Sequence, residues 1–245
     1  MNRFSCIAAL SVLFALGALP GWAQTLTHQY TFNTDASDSV GGANGTLFNG
    51  ASISGGRLLL DGVDDYVQLS TKIVPTSGSY SVSLFARQTA VQSGYTEFIS
   101  QGFSGGPGFY IGTAPGNGIR VTDSWQNTTV TLPNDFALHH YALTVNATTN
   151  QSAFYFDGVL RATMTGIATT TGGTDTRFGN QFAGFSEYFR GELDDIRVYN
   201  GALSAGQVTT IAAVTSAPEP DALLLTACGA FPLLGVLFYR RRKVA

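Results

Sequence analysis

Apolar and polar residues alternate with a period of two along most of the chain between Leu26 and Tyr199. In the clearest example, Tyr80, Val82 and Leu84 alternate with the intervening serines. This period puts successive side chains on opposite faces of a β-strand. Runs of the same kind predict strands at 28–32, 57–60, 66–69, 80–87, 97–101, 108–113, 119–122, 128–132, 141–145, 153–156, 160–164 and 189–199.

Turn-forming residues separate these runs. Glycine pairs stand at 41–42 and 55–56, and Asp-Gly pairs stand at 61–62 and 157–158. Such dipeptides favour tight turns between strands. Many short strands at this spacing, with almost no helical period, predict an all-β fold in which two antiparallel sheets form a sandwich.

One short helix is predicted near the end of the alternating region. Ser204 and Gln207 have the spacing of a capping box, in which each side chain bonds the backbone N–H of the other residue. Leu203 and Val208 are spaced for a hydrophobic staple across the same helix start. We expect the helix to run to about Val214 and to pack on the sandwich as a cap.

The first 23 residues have the organisation of an export signal. A short basic region with Arg3 is followed by an apolar stretch at 7–19 and by the small-x-small triplet ending at Ala23. This order is typical of a secretory signal peptide. We therefore expect cleavage after Ala23 and export of the protein.

The last 31 residues, 215–245, divide into three parts. A proline-containing neck (215–221) precedes an uncharged apolar run (222–239), which is followed by a basic end (240–245). The apolar run approaches the ~20 residues that a membrane-spanning helix needs. Basic residues behind it favour a cytoplasmic end. The residues that define the neck and the basic end are Pro218, Glu219, Pro220, Arg240, Arg241 and Arg242.

This tail resembles the PEP-CTERM sorting signal of Gram-negative bacteria. The resemblance implies that an exosortase recognises the neck and processes a precursor anchored in the inner membrane. The protein would then reach the cell surface or the extracellular space. A plain single-pass anchor is the alternative interpretation of the same tail.

The composition of the central part, residues 24–214, argues against several classes of function. Both cysteines of the chain, Cys6 and Cys228, lie in the targeting ends, so the domain has no disulfide and no cysteine-based metal site or nucleophile. Residues 24–217 carry fourteen acidic and eight basic side chains, a net charge of −6. This mildly acidic character is not typical of a nucleic-acid binder.

Several sequence runs are similar to those of a known domain family. Residues 56–67, Gly-Arg-Leu-Leu-Leu-Asp-Gly-Val-Asp-Asp-Tyr-Val, are the most distinctive run. The other runs are 30–32, 38–41, 44–47, 81–85, 138–143, 154–158 and 189–200. Together they resemble a bacterial laminin-G-like domain, although Phe85 and Leu138 stand where that family usually has tryptophan. The resemblance implies a concanavalin A-like jelly roll from about Tyr30 to Val214.

Calcium is the metal that this resemblance suggests. Strict alternation would put Asp194 on the apolar face of its strand with Ile196 and Val198, where an unpaired carboxylate is very costly. Calcium bound by Asp194, Asp38 and nearby carbonyl oxygens would compensate that carboxylate. The alternative is that Asp194 accepts backbone N–H bonds and holds the segment 33–45.

Two other groups of side chains are weaker candidates for binding a metal ion. The spacing of Asp61, Asp64 and Asp65 does not match an EF-hand, and the Asp-Gly pair within this run predicts a β-turn. His139 and His140 are neighbours in a predicted strand and would point to opposite faces. No zinc site is therefore predicted. His28, the remaining histidine, has no recognisable partner in the sequence.

Exposed aromatic rings would be the expected means of binding carbohydrate, because apolar sugar faces stack on them. Loops and aromatic residues are concentrated between residues 95 and 125, and Trp125, Tyr110 and Phe103 are the candidate ligand-binding residues. Trp125 is the only tryptophan outside the predicted signal peptide. Its alternative role is to close one end of the core.

An enzyme is the alternative to a binding protein, since the fold also carries glucanases. Their Glu-x-Asp-x-x-Glu pattern places two catalytic carboxylates on one strand face. Here Glu192 and Asp194 match its start, but Arg197 occupies the position of the last acid. Glu97 and Glu187 have no neighbouring carboxylate in sequence. The sequence thus favours a non-catalytic surface or matrix protein that contacts exopolysaccharide, with a purely structural protein as the third possibility.

Overall fold

The computed structural model describes residues 24–102, 108–122, 125–166, 175–181 and 186–214. The predicted signal peptide, the sorting tail and Phe103 lie outside these residues. Within the described ranges, no helix combines the length and apolar character that a membrane span requires.

The described ranges contain fifteen strands and one helix. The strands are β1 (Thr25–Tyr30), β2 (Gly45–Phe48), β3 (Ser52–Ser54), β4 (Arg57–Asp61), β5 (Tyr66–Leu69), β6 (Tyr80–Gln88), β7 (Thr96–Gly102), β8 (Phe109–Ala114), β9 (Gly118–Thr122), β10 (Trp125–Thr131), β11 (His139–Asn146), β12 (Gln151–Phe156), β13 (Val159–Thr165), β14 (Asp175–Phe178) and β15 (Arg190–Asn200). The helix is α1 (Ala205–Val214).

Two antiparallel sheets account for all of these strands. Sheet A has the order β13-β12-β11-β6-β15-β4-β3, and β1 also pairs with β15. Sheet B has the order β10-β9-β8-β7-β14-β5-β2. Neighbours such as β6 and β15 are far apart in sequence, so most pairings depend on long-range contacts. The predicted two-sheet sandwich is confirmed.

The core lies between the two sheets and follows the predicted alternation. On β6, Tyr80, Val82 and Leu84 are buried in the main core, whereas Ser81 and Ser83 belong to the opposite face. Aromatic rings fill much of the core, with edge-to-face pairs that are typical of packed phenylalanine and tyrosine. Such pairs include Tyr30–Phe178, Phe98–Tyr141 and Phe98–Phe189.

The predicted helix and its cap are confirmed. The backbone N–H of Ser204 donates to Gln207 Oε1 at 2.8 Å, and that of Gln207 donates to Ser204 Oγ at 3.3 Å. Leu203 and Val208 are buried together in a smaller cluster with Tyr199 on the outer face of sheet A. The helix therefore caps part of this face.

Three short strands, β2, β3 and β14, were not among those predicted from the alternating pattern. Each has only three or four residues. A run this short contains too few alternating positions to be distinguished from a loop, and its pairing with a neighbour decides its conformation. β14, for example, is held between β5 and β7.

Candidate functional site

A buried arginine and its neighbours form the most chemically organised site on the outer face of sheet B. On β9, Ile119 and Val121 enter the core, so Arg120 between them points outward. Arg120 is opposite Gly112 of β8, and Gly112 is opposite Glu97 of β7. The register thus brings residues from three strands together on one face. We call Tyr95, Glu97, Tyr110, Arg120 and Glu187 the Arg120 cluster.

Two carboxylates share one nitrogen of the arginine. Arg120 Nη1 donates to Glu97 Oε1 at 2.5 Å and also donates to Glu187 Oε2. Burial would by itself lower the pKa of Arg120, but the negative charge of Glu97, together with the hydrogen bond and charge of Glu187, raises it. The guanidinium therefore remains charged.

Two tyrosine rings flank the same guanidinium. Its central carbon lies 4.5 Å from the ring centre of Tyr95 and 4.3 Å from that of Tyr110. These are cation–π distances, and burial strengthens such contacts. The rings and carboxylates therefore hold Arg120 in one position.

Gly112 makes room for this arrangement. A Cβ atom at this position would lie 2.0 Å from the Thr96 carbonyl oxygen and 2.6 Å from Glu97 Oε2. Real side chains do not approach so closely, so the missing side chain lets the Glu97 carboxylate lie over β8.

Exposure differs strongly within the Arg120 cluster. Arg120 is 5% exposed and Glu97 is completely buried, whereas Tyr95 is 37% exposed. The Glu187 side chain is 18% exposed. A molecule approaching this face therefore meets an aromatic ring and a carboxylate, with the arginine behind them.

A buried amide extends the cluster toward β14. Gln181 Nε2 donates to the hydroxyl of Tyr110 at 2.8 Å. Its other polar atom, Oε1, is buried and has no hydrogen-bond donor among the described residues. Since buried polar atoms are normally paired, this acceptor is unusual.

A second arginine lies further along the same face. Arg177 of β14 lies 4.5 Å from the ring centre of Tyr66, and that ring stacks on Phe48 with 4.9 Å between the centres. Arg177 also donates to Asn180 Oδ1 at 2.9 Å and lies 3.7 Å from Asp175. Aromatic rings and arginines thus continue along the sheet from β9 to β2.

The three residues predicted to bind glycan lie in different environments. Tyr110 belongs to the Arg120 cluster, although its ring is covered. Trp125 is only 8% exposed and belongs to the main core. An exposed platform at Trp125 is therefore wrong, and the alternative, a ring that closes the core, describes its position. Phe103 lies outside the described residues.

Asp38, one of the two predicted calcium ligands, is surrounded by N–H donors. Its Oδ1 accepts from the backbone N–H of Gln29, Val40 and Gly41 at 3.0–3.1 Å. Its Oδ2 accepts from Ala43 N at 3.0 Å and from His28 Nδ1 at 2.6 Å. His28 therefore has a partner that the sequence did not reveal. Both oxygens face donors, which is the opposite of what a cation requires.

Asp194, the other predicted ligand, is not on the apolar face. Asp194 is opposite Phe85 of β6 and Arg197 is opposite Ser83, so a step of two residues on β6 matches a step of three residues on β15. This β-bulge inserts one residue, and Asp195 adopts a positive φ of 44° there. The prediction that Asp194 lies on the apolar face is wrong, because the extra residue in the bulge shifts the alternation of inward and outward side chains by one position. Leu193 and Ile196 both reach the core, and the two aspartates between them lie outside it.

The two aspartates therefore do not form one calcium site. The segment containing Asp38 bonds the edge of β1 that faces away from β15, since Ser39 N donates to Gln29 O at 2.9 Å. β1 thus separates Asp38 from Asp194. Burial, and then the charge of Asp195, raise the pKa of Asp194 to about 6. The residues do not fit the predicted calcium site.

Several other acids, and the histidines of β11, have structural partners. Glu192 lies between Arg57 and Arg87 and bonds both. His139 Nδ1 bonds Asp157 at 2.8 Å, whereas His140 Nε2 bonds Ser83 Oγ at 2.8 Å on the outer face of sheet A. In the acidic run, Asp61 Oδ1 accepts from Val63 N, and Asp65 accepts from Gly50 N and Asp61 N, which are contacts of a turn.

A family model described as the concanavalin A-like lectin/glucanases superfamily matches residues 61–209. The chain belongs to this superfamily. Its matched residues include β5 to β15 and the first half of α1, hence the strands that build the Arg120 cluster. None of the curated proteins compared with the chain matches it.

Several solved structures have a fold similar to that of this chain. One is domain 4 of AbnA, an extracellular arabinanase of Geobacillus stearothermophilus, in complex with arabinotriose. It is 23% identical with a TM-score of 0.65, over 77% of this chain and 98% of that domain. The Trypanosoma rangeli sialidase in complex with sialic acid is 14% identical with a TM-score of 0.63, over 80% of this chain and 34% of that one. The binding domain of Paraclostridial Mosquitocidal Protein 1 is 13% identical with a TM-score of 0.61, over 78% of this chain and 52% of that one. These likenesses establish the fold of the concanavalin A-like domain.

Sequence reasoning missed Arg120, Glu97 and Glu187 as a group. They are separated by 23 and 67 positions, so no local motif joins them. Glu97 and Arg120 did carry one usable signal, because each is a charged residue within a run that is predicted to be a strand. Their mutual contact required the order of the strands.

Proposed function

We propose that the chain is a non-catalytic exported protein of the cell surface or extracellular matrix that binds carbohydrate on the outer face of sheet B. The observation that carries this proposal is the exposed Tyr95 ring beside the Glu187 carboxylate in the Arg120 cluster. Exopolysaccharide is the class of ligand that we propose.

The chemistry of the cluster suits a sugar. An aromatic ring offers a flat apolar surface for the C–H face of a pyranose or furanose, while a carboxylate accepts hydrogen bonds from hydroxyls. Tyr95 supplies the ring, and Glu187 supplies the acceptor. Arg120 holds Glu187 and Tyr95 in place, so little ordering is needed when a ligand binds.

Membership of the lectin/glucanase superfamily supports this proposal, as does the likeness to an arabinanase domain whose structure contains arabinotriose. Both observations favour carbohydrate as the ligand class. They leave the identity of the sugar open, because fold alone does not determine the ligand.

The cluster also indicates why we propose binding and not catalysis. Glycoside hydrolysis needs one carboxylic acid that carries a proton and a second, ionised carboxylate. Glu97 and Glu187 both accept hydrogen bonds from the charged Arg120 guanidinium, an arrangement suited to two ionised groups. Their proximity still makes them the pair to replace if hydrolysis of a β-glucan is ever detected. Glu192 is bonded to two arginines and is a poorer candidate.

Replacing Tyr95 with alanine tests the proposed site. We expect binding to the preferred polysaccharide to weaken by about tenfold, because stacking on one ring contributes roughly 1 kcal/mol or more. Retention on columns of arabinan, galactan, mannan and β-glucan measures the effect. Phe136→Ala is the matched control, since Phe136 is exposed but lies in the loop before β11. Equal retention of both variants and the unmodified protein would contradict the proposal.

We also propose export and exosortase sorting through the tail, as the sequence predicts. The proline-containing neck followed by the apolar run and the basic end supports this part of the proposal. In a Gram-negative host, mass spectrometry of the mature protein is expected to find an amino terminus at Gln24 and a carboxy terminus near Pro218 to Pro220. A mature protein that retains Arg240 to Arg242 would favour a permanent single-pass anchor.

A further inference from the structure

We infer that the Arg120 cluster selects neutral polysaccharides and excludes acidic ones. This inference rests on the proposed function, because it concerns the ligand class of the same site. It follows from which charged group is accessible and from what the arginine already binds.

The positive charge of the cluster is already compensated. Arg120 donates from one nitrogen to both Glu97 and Glu187, and its faces contact two tyrosine rings. An incoming carboxylate would therefore have to displace a carboxylate of the protein to reach the guanidinium. By formal charge, two carboxylates and one guanidinium give the cluster −1.

The accessible charge is the negative one. The Glu187 side chain is 18% exposed, compared with 6% for Arg120 and none for Glu97. A ligand lying on the Tyr95 ring would meet Glu187 before it meets Arg120. Sugar hydroxyls can donate hydrogen bonds to this carboxylate, whereas a uronic acid carboxylate would be repelled by it.

Among the described residues that form the Arg120 cluster, the one cation is Arg120 and the two carboxylates are Glu97 and Glu187. Arg177, the next arginine on this face, is close to Asp175 and donates to Asn180. The electrostatic character of the site is therefore set by its carboxylates.

The experiment compares neutral polysaccharides with the same chains after oxidation of their primary hydroxyls to carboxylates. Galactan, mannan and β-glucan are suitable, and binding of the full chain is measured at low and at high salt. We expect the oxidised form of the bound polysaccharide to bind at least about tenfold more weakly at 0.05 M salt. The difference should shrink as salt screens the repulsion.

Glu187→Gln tests the origin of the selectivity. This change keeps the shape of the side chain and removes one negative charge, so we expect the tenfold difference to fall to about threefold or less. Asp64→Asn is the matched control, because it removes the same charge from an exposed turn beside β5, four strands from β9. The Asp64→Asn variant should keep the tenfold difference in binding between neutral and oxidised polysaccharide.

The outcomes separate the inference from the proposed function. Oxidised polysaccharide bound as tightly as neutral polysaccharide would overturn the charge selectivity while leaving carbohydrate binding intact. A tenfold difference that persists in Glu187→Gln, or that is insensitive to salt, would also overturn it. Failure to bind any polysaccharide of the panel would instead overturn the proposed function.

Discussion

Replacing Arg120 with methionine is expected to lower the free energy of unfolding by about 3–5 kcal/mol. Methionine keeps much of the side-chain length but leaves Glu97 and Glu187 without the guanidinium that both bond. Glu97 is completely buried, so its uncompensated charge is the main cost. Urea unfolding followed by tryptophan and tyrosine fluorescence measures the change.

Two further variants identify the cause of this loss. Arg161→Met is the matched control, since Arg161 is an exposed arginine that also lies over an aromatic ring, at 5.6 Å from the ring centre of Phe156. We expect it to change the unfolding free energy by less than about 0.5 kcal/mol. Adding Glu97→Gln to Arg120→Met should recover part of the loss, because it removes the buried charge. A double variant as unstable as the sum of its single changes would contradict this explanation.

Replacing Asp38 with asparagine is expected to cost about 2–4 kcal/mol at neutral pH. The carboxylate is inaccessible and accepts hydrogen bonds from the backbone of β1, from the segment 40–43 and from His28. Asparagine would place an NH₂ group against N–H donors on one side. The segment that connects β1 with β2 would then lose its anchor.

The same aspartate predicts how stability depends on acid. Burial would raise the pKa of Asp38, but hydrogen bonds from Gly41, Gln29 and His28 outweigh it and lower the pKa to about 2. A depressed folded-state pKa stabilises the fold above the unfolded-state value near 4. This contribution, roughly 2 kcal/mol, should be lost as the pH falls from about 4 to about 2.

Stability curves at several pH values check this prediction. Between pH 4 and pH 2 the unmodified protein should lose more unfolding free energy than the Asp38→Asn variant does. The exposed-site variant Asp64→Asn should show the same loss as the unmodified protein.

The same samples test the predicted calcium binding. A chelator that lowers the unfolding midpoint of the unmodified protein, but not that of Asp38→Asn, would show that Asp38 binds calcium. That result would contradict our explanation that Asp38 accepts N–H hydrogen bonds in place of binding a cation.

The sequence predicted the longer strands well because each contains several alternating positions. The core residues of β6 and the cap of α1 follow directly from such local patterns. The error at Asp194 has a local cause: a bulge adds one residue, and nothing in the run from Glu192 to Tyr199 marks its position. The error at Trp125 arose because a turn-like sequence context does not reveal whether a ring points inward.

The sequence by itself determined the sandwich, the capped helix and the mildly acidic, cysteine-free character of the domain, because period, capping and charge are properties of neighbouring residues or of composition. Only the tertiary structure decided which acids meet which bases. Glu97, Arg120 and Glu187 come together through strand order and register, and Asp38 finds His28 through the folding of a loop against β1. These contacts depend on how distant strands pair, which no local pattern encodes.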